Sequence, residues 1–544
     1  MKRLIYKLTA LTVLIGFVFS GCRNPAYDIN VLFDAAVIQY KATLILSDAA
    51  GGSLPTSGIT ATITGADAAS IYDFSGTKKI YAPNGVITLG VHPNFIPTAS
   101  KTLSFNVIIK IPGYEEKNIP MTIGVNDFTQ DIKGITMVKT TVNTPYTSVV
   151  VKDFPLGAGG ATTVVSSFST PSTAGVPQTT SISIPVGTTF KDANGNLLAG
   201  GSLTAQAINF DAGDPALVSL FPGGDLSATN VIGKGGTTGA AFFSPAGFTD
   251  ITMFVGGVEV RQFSTPINVS IQVDPLFKMN GATTAVKAGD VLSVYSYQVS
   301  TGQFKYESEV AAALDASGKL AIPFTTNHLT KFIIGEVFPV GTCAIPEVTF
   351  IAPWLVANST VVSIEILTLD GTKRLAYAPS QVIFNGTKVP FENLPPFAVS
   401  YIIRQGTTTI AAGNITDPCA GAPISITLPN PATPVDLVTL LLNVKCPQGQ
   451  ITVPNFDLYY KPVGAPDSQF ALLGTVTKGS IKTTLLKVGT SYDFRAYWAN
   501  SVKTVNNRPI STADMSETVG ENDFLGSKSP NYNKSLLIEA CKGI

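Results

Sequence analysis

Short runs of β-branched and aromatic residues follow one another along most of the chain after residue 30. Residues 40–46, 59–63 and 104–110 are examples, and each is followed within a few positions by Gly, Pro or Asp, which favour turns. Short strands at regular spacing, separated by turn residues, are typical of β-sandwiches and barrels. The pattern therefore predicts strands along nearly the whole chain.

Helical periodicity is limited to one short segment after Asp214. Pro215 stands at its first helical position and Gly223 lies beyond its end, which is the order expected of helix start and stop signals. We expect a helix of about one or two turns there. Such a helix is too short to form a layer of the fold.

Turn-rich stretches divide the chain into four blocks, which we name in chain order: the first block (residues 28–140), the second block (145–340), the third block (343–430) and the fourth block (435–541). Residues 139–180 are rich in Thr, Ser and Gly, as in a flexible linker. The valines at 149–151 and 164–165 favour the alternative that part of this stretch pairs as strands of the second block. Three prolines within residues 429–434 predict a stiff boundary before the fourth block.

Composition excludes two classes of protein. The chain has 544 residues, 45% of them hydrophobic, so it can bury enough apolar surface to fold and global disorder is excluded. Its 36 Lys+Arg balance 36 Asp+Glu, so there is no basic excess for binding nucleic acid through phosphates. We expect no nucleic-acid partner.

The amino terminus predicts the compartment. Basic residues precede an apolar run at residues 8–19, which is too short to span a membrane and has the form of a secretion signal. The run ends in Phe-Ser-Gly-Cys at residues 19–22, which resembles the lipobox of bacterial lipoproteins. This resemblance implies a signal peptide at residues 1–21, acyl chains such as palmitate on Cys22 and an outer-membrane anchor, with the membrane face undetermined. The alternative is an ordinary signal peptide with a cysteine nearby.

The remaining cysteines are Cys343, Cys419, Cys446 and Cys541. Four cysteines allow three disulfide connectivities, and the pairing Cys343–Cys419 with Cys446–Cys541 keeps each bridge inside one block. The chain has no CxxC pair and no histidine near a cysteine in sequence, so a zinc site is the weaker alternative. We expect disulfides, and neither a metal nor another cofactor.

The second block carries four landmarks in a fixed order. They are Ile-Pro-Val-Gly at 184–187, Phe-Ser-Pro-Ala-Gly at 243–247, Phe-Ser-Thr-Pro at 263–266 and a final strand that begins near His328. This order resembles the ZU5-type β-sandwich family over residues 145–340. The resemblance implies a structural and interaction module without catalysis.

The other blocks carry weaker resemblances. The first, at residues 46–55 and 112–114, is similar to prealbumin-like or carboxypeptidase-regulatory-like sandwiches. The third is predicted to be an Ig-like sandwich, and the fourth resembles fibronectin type III or prealbumin-like modules at residues 457–460 and 489–498. The sequence thus predicts an all-β protein with four serial immunoglobulin-like or prealbumin-like β-sandwich domains after the signal peptide.

Alternation along the fourth block also predicts which residues form its core. Tyr492, Phe494, Ala496 and Trp498 share one face of an extended strand. We expect this face to be buried.

Catalytic candidates are few. Histidine is the usual general base near neutral pH, and the chain has only His92 and His328. His92 precedes Pro93 and is expected in a loop, whereas His328 matches the histidine of the ZU5-like pattern and is expected to hydrogen-bond within the sandwich. No GxSxG or HExxH motif is present, although a carboxylate pair assembled only by folding stays open.

Two acidic stretches and one tryptophan are candidate binding features. Residues 192–196, Asp-Ala-Asn-Gly-Asn, superficially resemble a calcium loop, but Leu203 stands where an EF-hand needs Glu, so a hairpin turn is expected. The acidic group that includes Asp211, Asp214 and Asp225 is expected to cap a helix and solvate loops, with a surface calcium site as the alternative. Trp354 is the candidate for glycan contact.

These observations favour a lipid-anchored envelope protein that acts as a non-enzymatic binding, adhesion or scaffold module. Its expected partners are the membrane, through the anchor, and a glycan or protein at the cell surface. One alternative is a glycan-binding accessory lipoprotein of an outer-membrane nutrient uptake system. A second alternative is a secreted hydrolase with an unrecognised site.

Overall fold

A computed structural model of the chain describes residues 32–33, 40–74, 76–91, 95–98, 101–124, 131–340, 347–355, 359–390, 394–420, 423–430, 438–445, 451–452, 456–476, 479–498, 501–511 and 514–519. Strands dominate these residues, so the all-β class expected from the sequence is confirmed. Within the same ranges, no helix has the length and apolar character needed to cross a membrane.

The first described strand, β1 (Leu32–Phe33), lies ahead of the first block and pairs with the fourth. The first block is a sandwich of seven strands: β2 (Lys41–Asp48), β3 (Thr60–Thr64), β4 (Ile71–Asp73), β5 (Val86–Val91), β6 (Leu103–Lys110), β7 (Lys117–Ile123) and β8 (Asp131–Met137). Its sheets have the orders β4-β5-β2-β8 and β3-β6-β7. Short 3₁₀ turns lie at Ala68–Ser70 and Pro83–Gly85.

The second block is the largest. Its elements are β9 (Thr147–Pro155), β10 (Ser166–Ser169), β11 (Thr180–Ile184), β12 (Phe190–Lys191), β13 (Ser202–Phe210), α1 (Leu217–Leu220), β14 (Ser227–Ile232), β15 (Thr238–Val255), β16 (Val258–Glu259), β17 (Gln262–Gln272), β18 (Val291–Gln298), β19 (Gln303–Ala311), β20 (Ala313–Leu314), β21 (Leu320–His328) and β22 (Lys331–Pro339). One sheet has six strands, in the order β10-β11-β17-β21-β20 with β12 paired to β17. The other has eight, in the order β14-β19-β18-β22-β15-β13-β9 with β16 paired to β15. Strands β9 and β10 lie within residues 139–180, so that stretch belongs to the sandwich and is not a linker.

The predicted helix forms as a single turn. It begins at Leu217, two residues later than the position of Pro215 suggested. Asp214 precedes it, and its Oδ1 accepts a hydrogen bond from the Ala216 N–H at 2.7 Å. The sequence signals therefore located the helix correctly and placed its start slightly early.

The third and fourth blocks are smaller sandwiches. Their strands are β23 (Glu347–Ile351), β24 (Thr360–Thr368), β25 (Arg374–Ile383), β26 (Lys388–Pro390), β27 (Val399–Gln405), β28 (Thr408–Ile415) and β29 (Ile424–Thr427), then β30 (Val438–Lys445), β31 (Ile451–Thr452), β32 (Phe456–Pro462), β33 (Ala471–Val476), β34 (Ser480–Thr483), β35 (Ser491–Trp498), β36 (Ser501–Pro509) and β37 (Asp514–Val519). A 3₁₀ turn lies at Asp467–Gln469.

The first, third and fourth blocks share one arrangement. In each, the opening strand pairs in parallel with the closing strand, as β2 with β8, β23 with β29 and β30 with β37. The opposite sheets of the third and fourth blocks also have matching orders, β25-β24-β27-β28 and β33-β32-β35-β36. The sequence assigned these blocks different resemblances, and the structure shows a common topology; the family assignments themselves stay predictions.

The face predicted to be core on β35 is buried at Tyr492, Phe494 and Ala496, while the side chain of Trp498 lies outside the described residues. The opposite face of β35 also carries buried residues, which the alternation did not predict. Asp493 accepts from Lys461 Nζ at 2.6 Å, and Arg495 Nη2 donates to Asp467 at 2.6 Å. Because Asp493 and Arg495 are paired with opposite charges, residues on both faces of β35 can be buried.

Apolar side chains join the blocks as well as filling them. The largest hydrophobic cluster runs from Phe248 and Phe221 of the second block to Phe350 of the third, and it reaches Ala49 of the first. A smaller cluster joins the first, third and fourth blocks at Val86, Ile132, Val382, Tyr459 and Leu472. The four sandwiches follow one another along the chain as expected, and they also pack side by side.

Candidate functional site

The seam between the first and second blocks holds a buried network of charged side chains. Lys331 on β22 lies directly opposite Asp250 on β15, and its Nζ is 2.6 Å from Asp250 Oδ2. The same Nζ donates to Glu115 Oε1 of the first block. The side chains of Lys331 and Glu115 are only 4% and 3% exposed, so this ion pair crosses the seam away from water.

Opposite charges favour the ionised forms of Glu115 and Lys331. Burial alone would raise the pKa of Glu115, but Lys117 and Lys331 hold it below its ordinary value. Burial opposes the charge on Lys331 too, yet Asp250 and Glu115 raise its pKa. Breaking one member of such a set leaves an uncompensated buried charge, which is costly.

Polar contacts extend the same seam. Lys117 Nζ donates to the Leu220 carbonyl, at the end of α1, at 2.6 Å, and lies 3.9 Å from Glu115 Oε2. Asn118 Nδ2 donates to the Val299 carbonyl at 2.8 Å, and Tyr297 donates its hydroxyl hydrogen to the Asn118 carbonyl at 3.0 Å. The first block therefore docks on the second through specific hydrogen bonds.

The seam between the second and third blocks is built around a bulge. The β15–β22 register shifts between Pro245 and Gly247, within the Phe-Ser-Pro-Ala-Gly landmark. Gly335 faces this bulge so closely that a Cβ there would lie 2.2 Å from the Ser244 carbonyl oxygen, which explains the glycine. Lys373 of the third block donates to the Pro245 carbonyl at 2.7 Å. The landmark of the second block is thus a docking point for the third.

The seam between the first and fourth blocks also carries a buried ion pair. Lys41 Nζ donates to Asp457 Oδ1, and their side chains are 7% and 6% exposed. Thr475 donates its hydroxyl hydrogen to the same carboxylate oxygen at 2.8 Å. Strand β1 adds to the fourth block by parallel pairing with β31. The Lys331–Glu115 and Lys41–Asp457 pairs each join one block to another, whereas the Lys331–Asp250 pair lies within the second block.

His328 lies where its two sheets meet. Its Nε2 is 3.2 Å from Glu307 Oε1, its Nδ1 is 3.4 Å from the Thr326 hydroxyl, and its ring stacks on Phe332 at 5.8 Å between centroids. Burial lowers the pKa of His328, against the raising effect of Glu307. The histidine bonds within the sandwich, as the sequence led us to expect; His92 lies outside the described residues.

The acidic stretches form turns. Asp192 Oδ1 accepts from the backbone N–H groups of Asn194 and Asn196, both at 2.8 Å, in the predicted hairpin turn. Asp211 Oδ1 accepts from the Gly213 N–H at 3.0 Å, and Asp225 Oδ1 from the Ser227 N–H at 3.2 Å. Over the ranges that the structure covers, no group of three or more His, Cys, Asp or Glu side chains is placed to hold a metal ion.

Trp354 is half-buried and packs against the large apolar cluster, with its Nε1–H donated to the Leu428 carbonyl at 3.2 Å. Its glycan role stays a prediction.

Cys419 is disulfide-bonded, whereas Cys22, Cys343, Cys446 and Cys541 lie outside the described residues. The structure thus leaves the lipid anchor and the disulfide connectivity as predictions.

Sequence reasoning did not find Lys331, Glu115 or Lys373. One usable signal was a charge within an apolar stretch, since Lys331 directly precedes Phe-Ile-Ile and Asp250 lies within residues 246–255. Such a charge is buried only with a partner. The sequence does not say which partner, because Glu115 is 216 residues from Lys331.

Comparison with known proteins gives little. No family model and no curated protein matches the chain. Among solved structures, the Bacillus anthracis TIE protein is 10% identical with a TM-score of 0.14, covering 68% of this chain and 74% of that one. A streptococcal ancillary pilin is 10% identical with a TM-score of 0.14, covering 43% of this chain and 93% of that one.

The full-length major pilin SpaD from Corynebacterium diphtheriae is 9% identical, with a TM-score of 0.13 and coverage of 88% and 96%. These TM-scores are too low to support any argument about shape or activity. The fold described above therefore rests on the strands and sheets of the chain itself.

Proposed function

We propose that the chain is a lipid-anchored protein of the bacterial envelope that acts as a non-enzymatic scaffold for binding or adhesion. The buried network of Lys331, Glu115 and Asp250 is the observation that supports it. Together with the shared apolar clusters, this network fixes the blocks against one another. A fixed arrangement of sandwiches presents its outer surfaces at constant positions, which is what a scaffold requires.

The proposed anchor is Cys22, carrying acyl chains in the outer membrane. Leu32, where β1 joins the fourth block, lies ten positions after Cys22. An extended chain of that length spans at most about 35 Å. The fourth block is therefore the one that the tether holds near the membrane.

We also propose the pairings Cys343–Cys419 and Cys446–Cys541.

Partition between water and a detergent phase tests the anchor. The wild-type protein made in its native host is expected in the detergent phase, and the Cys22→Ala variant in the aqueous phase, because acyl chains supply the membrane affinity. Asn24→Ala, two residues away, is the matched control and should behave as wild type. Equal partition of wild type and Cys22→Ala contradicts the anchor.

A glycan-binding role is a second candidate, favoured by the outer face of the six-stranded sheet of the second block. Ser167, Ser183, Asn268 and Thr325 lie opposite one another across four strands. These four side chains carry no charge, and their hydroxyl and amide groups suit hydrogen bonding to neutral sugars.

A glycan array tests this face. We expect glycans that bind the wild type and the exposed-surface control Lys234→Ala but do not bind Asn268→Ala. An array on which the wild type binds no glycan contradicts the candidate and leaves the scaffold proposal in place.

A further inference from the structure

Lys373 is the cation of the seam between the second and third blocks, and it has few partners. It lies in the turn before β25, and its Nζ reaches the Pro245 carbonyl at 2.7 Å and lies 5.2 Å from the centre of the Phe277 ring. Among the described residues, no carboxylate oxygen lies within ion-pair distance of this Nζ. The contacts of Lys373 therefore differ from those of Lys331, which meets two carboxylates.

The number of partners determines how costly the charged form of the Lys373 amine is. An ammonium group has three N–H donors and no acceptor, so a single carbonyl leaves two donors without a protein partner. Lys373 is half-buried, and in that state withdrawing the charged ammonium from water costs more than withdrawing the neutral amine. The neutral amine still donates to the Pro245 carbonyl.

Other charged groups near Lys373 are engaged or more distant. Asp274 and Asp211 of the second block act on it through space, and Asp274 Oδ1 already accepts from the Leu276 N–H at 3.0 Å. On its own turn, Asp370 accepts from the hydroxyls of Thr368 and Thr372 at 2.6 and 2.7 Å.

Two further cations complete the surroundings. Lys278 of the second block faces Asp370 at 3.8 Å, and Arg374 Nη2 lies 3.3 Å from Glu365. Lys278 and Arg374 thus each have a carboxylate partner of their own.

We propose that docking of the third block on the second is proton-linked through Lys373, and that the seam tightens as the solution becomes alkaline. Burial lowers the pKa of Lys373 to about 8, against the raising effects of Asp274 and Asp211. An unfolded lysine titrates near pH 10.4. Between these values the folded chain binds fewer protons than the unfolded chain, so the stability of the seam rises with pH.

Urea unfolding of the full chain at pH 7 and pH 9 tests the proposal, followed by the fluorescence of the two tryptophans. Relative to Lys373→Met, the wild-type unfolding constant is expected to fall roughly tenfold from pH 7 to pH 9. Lys278→Met removes an exposed lysine at the same seam and should keep the wild-type response. An identical pH response of wild type and Lys373→Met overturns the proposal.

Lys373→Arg provides an independent test, including the case in which Lys373→Met does not fold. Arginine stays charged at both pH values, so this variant should be less stable than wild type and should show a smaller rise between pH 7 and pH 9 than wild type. If Lys373→Arg keeps the wild-type rise, the titrating group is not Lys373 and the proposal fails.

Discussion

Two lysines at two seams of the second block show opposite electrostatic behaviour. Lys331 contacts Asp250 at 2.6 Å and Glu115 across the seam to the first block, and these carboxylates raise its pKa. Lys373 reaches only the Pro245 carbonyl at the seam to the third block, and burial lowers its pKa to about 8. Lys331 is buried and Lys373 is half-buried, so both are at least partly withdrawn from water. Direct contact with carboxylates decides which of them keeps its charge as the pH rises above about 8.

This difference implies that the two seams depend to different degrees on charged side chains. The seam of Lys331 needs the charges of both Lys331 and Glu115, since removing either leaves the other buried without its direct partner. The seam of Lys373 loses nothing when its cation becomes neutral. We therefore expect mutations of charge to weaken the first seam strongly and the second weakly.

The largest effect is expected for Glu115→Gln, which keeps the shape of the side chain and removes its charge. Loss of a buried ion-pair partner typically costs about 3–5 kcal/mol, and we expect the unfolding free energy at pH 7 to fall by about 3 kcal/mol. Urea unfolding measures this.

Glu309→Gln is the matched control, because its pair with Lys234 is exposed (66% and 40% for Lys234 and Glu309). It should cost less than about 1 kcal/mol. Equal losses in the two variants would show that the charge of Glu115 contributes nothing special to the seam.

The features that the sequence predicted depend on residues close together in the chain, whereas the features it missed depend on residues far apart. Alternation along β35 correctly predicted Tyr492, Phe494 and Ala496 as buried, because side-chain direction in a strand is set by neighbours two positions apart. The pairing of Lys41 with Asp457 joins residues 416 positions apart. No local pattern encodes such a contact.

The site was missed for the same reason. His328, Asp192 and Trp354 drew attention because each stands in a recognisable local pattern, and all three make hydrogen bonds within their own blocks. Glu115 and Lys373 stand in no motif, and their importance comes from the block that packs against them. Sequence reasoning identified the sandwiches and could not identify the seams between them.

The smallest effect is expected for Lys117→Met, because Lys117 combines features of both lysines. It donates to the Leu220 carbonyl at 2.6 Å, as Lys373 donates to Pro245, and it also lies 3.9 Å from Glu115. Burial lowers its pKa to about 8, against the raising effect of Glu115. Because Lys331 still contacts Glu115 directly in this variant, we expect the unfolding free energy at pH 7 to change by no more than about 1 kcal/mol.

The sign of its pH dependence follows from the same pKa. The folded chain releases the Lys117 proton near pH 8 and the unfolded chain near pH 10.4, so this lysine makes stability rise with pH between those values and adds no pH dependence below them. Unfolding in urea at pH 7 and pH 9 should therefore show a smaller rise for Lys117→Met than for wild type. A loss as large as that of Glu115→Gln at pH 7 would instead place Lys117 with Lys331, as a charge that the seam requires, and the contrast between paired and unpaired lysines would not hold for it.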